Sequence, residues 1–368
     1  MADPWPGDRG LPRPDPGPPP VAAVPDGERA PTRPRAPDAA GDSGARVPGF
    51  DSVRTVAVWL LVAPLAVWLA VRVAGVGAGT RIETLLVFTP YVALVSVAVL
   101  LAAVALRAAR AALVAAAACC LGYALVVAPL FATGPHPVVA PDGPAVRVMT
   151  VNVLYGGADP ASVVDMVRDR DVAVLGVQEL TPSFHARLLD EGLDDLLEHS
   201  AVELRTGSSG TGLYSRHRVE QAAHEVEGRH ENPTVSVDID GAPAVEVTVV
   251  HPVPPIGAGG RSGWRRTFAD LPRPARPGGD GPVRLLVGDF NATVDQPTMR
   301  DLLDDGYVDA AGAAGRGWVP TWRTGLAPPL AIDHVLVDRT VGVGGVSVLD
   351  VPGSDHRAVV ADLRLPSS

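Results

Sequence analysis

The chain has 368 residues, of which 47% are hydrophobic, and a formal net charge of −10. The hydrophobic fraction excludes a wholly disordered chain, and the 39 glycines follow no triplet period, which excludes a collagen-like repeat. The two cysteines, Cys119 and Cys120, are adjacent within an apolar run, so a disulfide framework is also excluded.

Residues 1–50 are rich in Pro, Gly, Ala and Asp and show no apolar periodicity. Such a segment cannot bury a core, so we predict a disordered leader, partly in polyproline II form; its Pro-rich runs also fit ligands of SH3-type domains. The first apolar run begins only at residue 53, which favours an uncleaved anchor over a cleavable signal peptide.

Three apolar runs follow, each near or above the roughly 20 residues that cross a bilayer as a helix. They cover residues 53–74, 82–106 and 111–131, within a predicted membrane domain of residues 51–134. Because backbone polar groups in lipid need internal partners, we predict three transmembrane helices. The runs lack the polar face that core helices of a water-soluble protein would show.

Arginines near the ends of these runs predict how the chain crosses the membrane. Four lie at one end and three at the other: Arg46, Arg54, Arg107 and Arg110 against Arg72, Arg81 and Arg147. Since cytoplasmic flanks carry the excess of basic residues, this count favours a cytoplasmic N-terminus. Three crossings then place the chain after a linker of residues 135–145 outside the cytoplasm.

Residues 146–368 are long enough for one large core. Short apolar runs bounded by Gly, Pro and Asp predict strands at residues 146–153, 172–177, 234–239, 245–250, 283–287 and 332–337. Helical spacing predicts helices at residues 160–170, 182–197 and 296–303. This order predicts an α/β sandwich with the sheets inside and the helices outside.

A polar side chain able to bind metal or phosphate stands at or beside the end of an apolar run six times. These positions are Asn152, Gln178 with Glu179, His251, Asp289 with Asn291, Asp333, and Asp355 with His356. Each alone is ordinary turn chemistry. Together they indicate a site, because strands hold side chains rigidly while the loops at their ends admit a substrate. His334, which would point away from Asp333 on the same strand, is predicted to be structural.

A known family has this order of residues. The pieces Gly288-Asp289-Phe290-Asn291 and Ser354-Asp355-His356, with the preceding residues, resemble the endonuclease/exonuclease/phosphatase superfamily, which includes DNase I and inositol polyphosphate phosphatases. The resemblance implies a four-layer α/β/β/α sandwich over residues 146–368. With the three apolar runs added, the chain is similar more narrowly to membrane-anchored phosphatases associated with teicoplanin resistance.

The resemblance also implies a divalent metal cofactor, Mg²⁺ or Mn²⁺. Glu179 would be its main ligand, and Asn152 and Asp355 would be further ligands or would support them. Mg²⁺ prefers one or two carboxylates completed by water and substrate phosphate, which agrees with this small set.

Catalytic roles follow from the same resemblance. His356 would be the general base on water, with Asp333 accepting its other ring N–H and holding the tautomer. Asp289 would position the water or the metal, and Asn291 would donate to a phosphoryl oxygen. His251 would bind the phosphoryl group or protonate the leaving oxygen.

Two features stand outside these motifs. DNase-like members pair the first His with an additional Glu, for which Glu203 and Glu225 are candidates. The stretch before Asp289 is locally basic through five arginines: Arg261, Arg265, Arg266, Arg273 and Arg276. It is either a substrate-entry loop that contacts anionic groups or a solvated loop. Trp264 and Phe268 are predicted to pack in the core rather than to enter lipid.

Three hypotheses for the function remain, and the first is favoured. It is an extracytoplasmic phosphatase on a lipid-linked polyprenyl diphosphate, with a role in glycopeptide resistance, because a membrane tether favours lipid substrates. The second is a surface nuclease or phosphodiesterase, including a sphingomyelinase-like enzyme. Residues 146–368 carry 20 Arg against 31 acidic residues, a net charge of −11, which disfavours nucleic acid as a partner. The third is a non-catalytic sensor or scaffold; no obligate protein partner is indicated.

Overall fold

The structure is a computed structural model that describes residues 17, 19, 50–133, 142–221, 232–257, 259–274 and 281–368. The chain divides into two units, Met1–Val47 and Pro48–Ser368, and every element named below belongs to the second. The predicted leader lies outside the described residues except for isolated positions. Glu225, Arg276 and residues 135–141 of the predicted linker also lie outside them.

Three apolar spans open the second unit and confirm the three predicted apolar helices. They contain α1 (Phe50–Ala74), α2 (Arg81–Leu85) followed by α3 (Thr89–Ala105), and α4 (Arg110–Val127). Each span is long and apolar enough to cross a membrane: Ser52–Ala74, Arg81–Ala105 and Arg110–Leu130. The middle span is not the single helix expected, because Leu86–Phe88 forms a 3₁₀ turn ahead of Pro90, which has no N–H to donate.

The apolar helices pack on one another through small and aromatic residues. Ala103, Ala112 and Tyr123 are buried between them, and the Tyr123 hydroxyl donates to the Leu65 carbonyl at 2.8 Å. Their outer surfaces are apolar, as at Leu60, which is 71% exposed. Small residues inside and large apolar residues outside are typical of helices that pack in lipid.

Twelve strands are present in the part of the chain that the structure describes. They are β1 (Ala145–Asn152), β2 (Val174–Gln178), β3 (His199–Glu203), β4 (Thr211–Ser215), β5 (Val219–Gln221), β6 (Thr234–Val237), β7 (Val245–Val250), β8 (Val283–Asp289), β9 (Tyr307–Asp309), β10 (Asp333–Asp338), β11 (Gly342–Asp350) and β12 (Arg357–Arg364). One sheet has the order β11-β12-β1-β2-β4-β3 and the other β5-β6-β7-β8-β10-β9. β1 pairs with β2, and β7 with β8, in parallel.

All six predicted strands are present, as β1, β2, β6, β7, β8 and β10. The other six strands are β3, β4, β5, β9, β11 and β12, of which all except β4 and β12 form sheet edges. An edge strand is less evenly buried, so its apolar pattern is weak. β11 illustrates this, because it contains three glycines and only two of its nine residues are buried.

Within the described ranges six helices accompany the sheets: α5 (Pro160–Asp169), α6 (Pro182–Asp190), α7 (Leu193–Leu196), α8 (Gly260–Asp270), α9 (Pro297–Asp304) and α10 (Ala310–Ala313). The predicted helix over residues 182–197 is two helices, because Gly192 adopts a left-handed conformation with φ 82° and ends α6. α8 was not predicted. It buries Trp264 and Phe268 on one face, which confirms their predicted place in the core.

The sheets pack face to face and the helices cover their outer surfaces. Valines from both sheets, such as Val148 and Val247, share one apolar core between them. A second core lies under α5 and α6 around Phe184, and a third lies under α8 and α9 around Phe290. The sandwich therefore has the four layers α/β/β/α, which confirms the predicted fold class.

The apolar helices contact the sandwich directly. Arg72, in the last turn of α1, donates from Nε to Asp295 Oδ1 at 2.7 Å. Buried Glu83 of α2 accepts at 2.9 Å from the Thr298 N–H in the first turn of α9. Burial raises the pKa of Asp295, and the Arg72 guanidinium opposes this effect. Removing Arg72 would therefore leave a buried carboxylate without its main cation.

Candidate active site

The ends of several strands meet at one edge of the sandwich. Asn152 ends β1, Glu179 follows β2, His251 follows β7 and Asp289 ends β8. In each parallel pair the two strands run in the same direction, so their carboxyl ends deliver side chains to the same edge. Asp333 begins antiparallel β10 directly opposite Asp289. The topology thus gathers residues that lie far apart in the sequence.

Asn152 joins two carboxylates at the centre of this edge. Its Nδ2 donates to Glu179 Oε1 at 3.2 Å and to Asp289 Oδ2 at 3.0 Å. Its Oδ1 accepts from the Leu154 N–H at 3.0 Å, which fixes the orientation of the amide. Asn152 therefore presents N–H groups to the site, and it fits the predicted supporting role better than direct ligation of a metal.

Glu179 is held in an unusual backbone conformation. Its φ is 60°, in the left-handed region that a residue with a side chain rarely adopts. Its Oε2 accepts from the Tyr155 N–H at 2.7 Å. Burial raises the pKa of Glu179, and the hydrogen bonds from Asn152 and Tyr155 only partly oppose this. A buried carboxylate that is costly to ionise is stabilised by a nearby cation.

His356 and Asp333 form a buried pair. The His356 Nδ1–H lies 2.9 and 3.0 Å from the two Asp333 carboxylate oxygens, and this contact leaves Nε2 facing the site. Nε2 is 3.7 Å from Asp289 Oδ2. Burial disfavours the charged imidazolium, but the carboxylates of Asp333 and Asp289 outweigh this and raise the pKa of His356 to about 10.

His251 approaches the same carboxylates from β7. Its Nε2 is 3.7 Å from Asp289 Oδ2 and 3.8 Å from Glu179 Oε1. Glu203, one of the two candidates for an additional Glu beside this histidine, lies on β3, 3.6 Å from Arg205. Among the described residues, Glu179 and Asp289 are acidic neighbours of His251.

Asp289 and Asn291 belong to one tight turn. Asp289 Oδ1 accepts from the Asn291 N–H at 2.8 Å, and Asn291 has φ 50°. The Asn291 Nδ2 donates to the Pro252 carbonyl at 3.1 Å, and the residue lines the cavity described below. Burial raises the pKa of Asp289, while His356 and His251 lower it. Asp289 is thus the carboxylate on which both imidazoles converge.

Asp355 adds a further acidic oxygen. Its Oδ2 accepts from the Trp322 indole N–H at 3.0 Å, a contact that no sequence signal indicated. Its Oδ1 is buried and has no hydrogen-bond partner within the described ranges. That oxygen lies 3.9 Å from His356 Nε2. A buried acidic oxygen without a donor is a suitable metal ligand.

The residues fit a divalent cation. Asp289, Asp333 and His356 each offer a ligand atom, and these atoms lie within 4.8 Å of one another. Asp333, however, is already bonded to His356, so carboxylates of Glu179, Asp289 and Asp355 are the better ligand set. All three line one cavity, and carboxylate oxygens suit hard cations.

Two residues from the predicted motifs lie outside the site. His334 points to the opposite face of β10, where Nε2 is 2.9 Å from the Ala292 carbonyl and Nδ1 is 3.3 Å from Asp309 Oδ1. This position agrees with its predicted structural role. Gln178 donates to Thr150 Oγ1 on the neighbouring strand at 3.1 Å.

A cavity of about 610 Å³ opens over the carboxylates. Glu179, His251, Asp289 and His356 line its floor, and loop residues such as Ile256 line its side. Another part of its wall comes from the second apolar span, through these residues: Thr84, Leu85, Val87 and Phe88. This contribution was not predicted, because the apolar pattern within the span does not show which of its residues contact a distant domain.

Residues 149–356 match the model of the Endonuclease/Exonuclease/phosphatase family. The match covers more than half of the chain, so the protein belongs to this family, as its motifs predicted. No curated protein sequence matches the chain significantly. The narrower resemblance to phosphatases associated with teicoplanin resistance therefore stays a prediction.

Several solved structures are similar to the sandwich. An endonuclease/exonuclease/phosphatase from Beutenbergia cavernae is 22% identical, with a TM-score of 0.47 over 60% of this chain and 72% of its own. TDP2 from D. rerio, complexed with single strand DNA product, is 14% identical, with a TM-score of 0.49 over 60% and 99% of the two chains. The 3′ phosphatase NExo from Neisseria, bound to a product DNA hairpin, is 18% identical, with a TM-score of 0.45 over 59% and 98%.

The His356 pair predicts a specific titration. In metal-free protein we expect the His356 ring to titrate near pH 10 and Asp333→Asn to lower its pKa by about 1–3 units. Because the folded pKa lies above the ordinary 6.5, the pair stabilises the fold fully below pH 6.5 and loses this effect as the pH rises through 10. Ring-labelled NMR measures this directly, with His356→Gln to assign the signal. A ring pKa near 6.5 in the unmodified chain would contradict the prediction.

Proposed function

We propose that the protein is a membrane-anchored phosphoester hydrolase that cleaves a lipid-linked phosphate, with a polyprenyl diphosphate as the leading substrate. Family membership supports the phosphoester chemistry. The observation that carries the lipid substrate is the composition of the cavity wall, in which Leu85 and Phe88 of an apolar span lie across from the catalytic carboxylates. A phosphate bound at the carboxylates would have its lipid chain beside that wall.

The rim of the cavity suits an apolar chain. Leu85 and Tyr155 are 50% and 60% exposed, and Ile256 on the facing loop is 67% exposed. Exposed apolar groups grouped around a cavity mark a binding surface for apolar ligands. The net charge of −11 on residues 146–368 disfavours a phosphate backbone as the alternative ligand.

The chain's own residues supply the acid–base chemistry. His356 Nε2, with Nδ1 held by Asp333, accepts a proton from the water that attacks phosphorus. The phosphorus–oxygen bond to the leaving group then breaks, and His251 is placed to protonate the leaving oxygen. Asn291 lines the cavity, and the Nδ2 hydrogen that is not bonded to the Pro252 carbonyl would donate to a phosphoryl oxygen.

Glu179, Asp289 and Asp355 would hold the divalent cation, for which we propose Mg²⁺ or Mn²⁺. When bound, the cation neutralises phosphoryl oxygens and, through its charge, favours the neutral form of His356 that a base requires. Asn152 keeps Glu179 and Asp289 oriented through its two N–H groups.

Orientation in the membrane is part of the proposal. Arg107 and Arg110 lie at the end of the spans away from the sandwich, and Arg72 and Arg81 lie at the other end. Arg72 is paired with Asp295, so its charge is locally compensated. This arrangement supports a cytoplasmic N-terminus and an extracytoplasmic catalytic domain. A reporter fused after Ser368 tests it, and reporter activity in the cytoplasm would reverse the orientation.

A role in glycopeptide resistance is the most specific part of the proposal. It is supported by the resemblance to membrane-anchored phosphatases associated with teicoplanin resistance. Turnover of a polyprenyl diphosphate outside the cytoplasm would act on a carrier of cell-wall synthesis. Deletion of the gene followed by measurement of teicoplanin sensitivity tests this role, with His356→Ala as the inactive complement. Equal sensitivity with and without the gene would remove it.

The substrate is tested with the full chain in detergent micelles containing Mg²⁺. We expect phosphate release from polyprenyl diphosphate, no nicking of supercoiled plasmid, and no turnover by His356→Ala. Plasmid nicking without lipid turnover would instead identify a surface nuclease. Absence of both activities, together with full rescue of a deletion phenotype by His356→Ala, would identify a sensor or scaffold.

The part of the cavity wall that comes from the second apolar span can be tested separately. Leu85→Gln should raise KM for the long-chain substrate about tenfold, because burying a leucine side chain contributes roughly 1.5–3 kcal/mol. The same variant should leave turnover of a short, water-soluble phosphate ester unchanged. Leu101→Gln, which alters an exposed leucine of α3 that does not line the cavity, is the matched control. Equal KM values for Leu85→Gln and Leu101→Gln would contradict a contact between Leu85 and the lipid chain of the substrate.

A further inference from the structure

A second cavity, of about 480 Å³, lies beside α8 and is lined by basic residues. Arg261, Arg265 and Arg266 all contribute to its wall. Arg261 and Arg265 are one helical turn apart, and Arg265 and Arg266 are exposed beside the face of α8 that buries Trp264 and Phe268. The cavity is separate from the catalytic one, and the two share no lining residue.

These arginines lack acidic neighbours. None of the three has a carboxylate within 4.0 Å in the part of the chain that the structure describes. Most other arginines of the sandwich do, including Arg216 with Asp171 and Arg284 with Glu246. In a domain of net charge −11, three arginines that line one cavity and have no carboxylate partner among the described residues form a positively charged site.

Three glycines line this cavity, and their lack of side chains leaves space in it. Gly79, Gly257 and Gly259 line the cavity together with Ser262 and Ala269, and a Cβ at Gly79 would stand 2.2 Å from the Arg265 guanidinium. Gly79 belongs to the segment between α1 and α2, at the end of the spans that faces the sandwich. The basic cavity therefore lies where the apolar spans end, which is the level of lipid headgroups in a membrane.

The segment that supplies Gly79 is apolar on its surface. Val73, Val76 and Ile82 are 62%, 55% and 48% exposed. Guanidinium groups bind phosphate oxygens in a bidentate manner, and exposed aliphatic groups suit acyl chains. Free phosphate would use only the arginines, whereas a phospholipid would use both surfaces.

We propose that this cavity binds the phosphate headgroup of an anionic membrane phospholipid, with its acyl chains along residues 73–82. The site rests on the three apolar spans lying in a membrane and does not rest on the proposed hydrolytic activity. Its occupant is a lipid that remains chemically unchanged.

Binding is tested on the full chain in neutral detergent, with fluorescent phosphatidylglycerol as the probe and phosphatidylcholine as the neutral comparison. We expect phosphatidylglycerol to bind at least tenfold more tightly than phosphatidylcholine. The triple variant Arg261→Gln, Arg265→Gln, Arg266→Gln should lose that preference. Inorganic phosphate should compete only weakly, because it lacks the acyl chains.

A control variant separates a local site from the general effect of charge. Arg168→Gln, Arg216→Gln, Arg218→Gln removes the same charge from residues that do not line the cavity, and it should retain the preference. The proposal is overturned if both triple variants bind phosphatidylglycerol equally, or if inorganic phosphate competes as well as the lipid. If the triple variant fails to fold, the single variant Arg265→Gln tests the same site. We expect it to lower the affinity for phosphatidylglycerol severalfold.

Discussion

His356→Ala should lower turnover about 10²- to 10⁴-fold, the usual contribution of a positioned general base. The reason is geometric, because Asp333 holds Nδ1 and leaves Nε2 as the ring atom that faces the carboxylates. Initial rates on the proposed lipid substrate, with Mg²⁺ added to saturation, measure the effect. His217→Ala replaces a partly exposed histidine outside the cavity and should retain full activity.

Asp333→Asn provides the complementary variant, because Asp333 acts through His356. Loss of the carboxylate lowers the His356 pKa, so the acidic limb of the rate profile should move to lower pH while the maximum rate falls. A merely structural role would reduce the rate without moving the limb. If His356→Ala kept more than a tenth of the activity with the fold intact, His356 would not be the base.

Gly288→Ala should destabilise the fold by about 3 kcal/mol, the upper end of the usual cost of overpacking. Gly288 has φ 152°, and a Cβ there would lie 2.0 Å from the Val250 carbonyl oxygen of the paired strand. Backbone would have to move at the point where β7 and β8 deliver His251 and Asp289. Urea denaturation of the full chain in detergent measures the loss through the unfolding midpoint.

Gly344→Ala is the matched control for this variant. Gly344 lies on edge strand β11, and the nearest atom to its added Cβ would be 3.6 Å away, an ordinary contact. We expect a change within about 0.5 kcal/mol there, as for most surface substitutions. Equal midpoints for the two variants would show that the close approach of β7 and β8 relaxes without cost.

The central strands and the apolar spans were predictable because burial imposes a strong pattern on them. β8, with six of its seven residues buried, reads directly as an apolar run. β3 and β11 lie at sheet edges, and no comparable pattern marks them. Helix α8 was missed for another reason, since its arginines and glycines mask the two buried aromatic residues that fix it.

The set of site residues was predictable from the order of strand ends, but their partnerships were not. Asn152 was predicted to bind the metal or to support its ligands. Only the hydrogen bond from the Leu154 N–H to Asn152 Oδ1 shows that Nδ2 is the amide atom that faces the carboxylates. Trp322 contacts Asp355 from a loop that carries no motif. Likewise the contact between Glu83 and the Thr298 N–H depends on how two distant segments dock, which local sequence does not encode.

The contacts between the apolar helices and the sandwich give these helices a structural role in the sandwich. Arg72 neutralises buried Asp295, Glu83 caps α9, and Leu85 and Phe88 close one side of the catalytic cavity. A fragment that began at β1 would lose a counterion, a helix cap and a wall at once. The apolar helices are therefore structurally part of the unit that holds the candidate site, and we expect a fragment without them to be less stable.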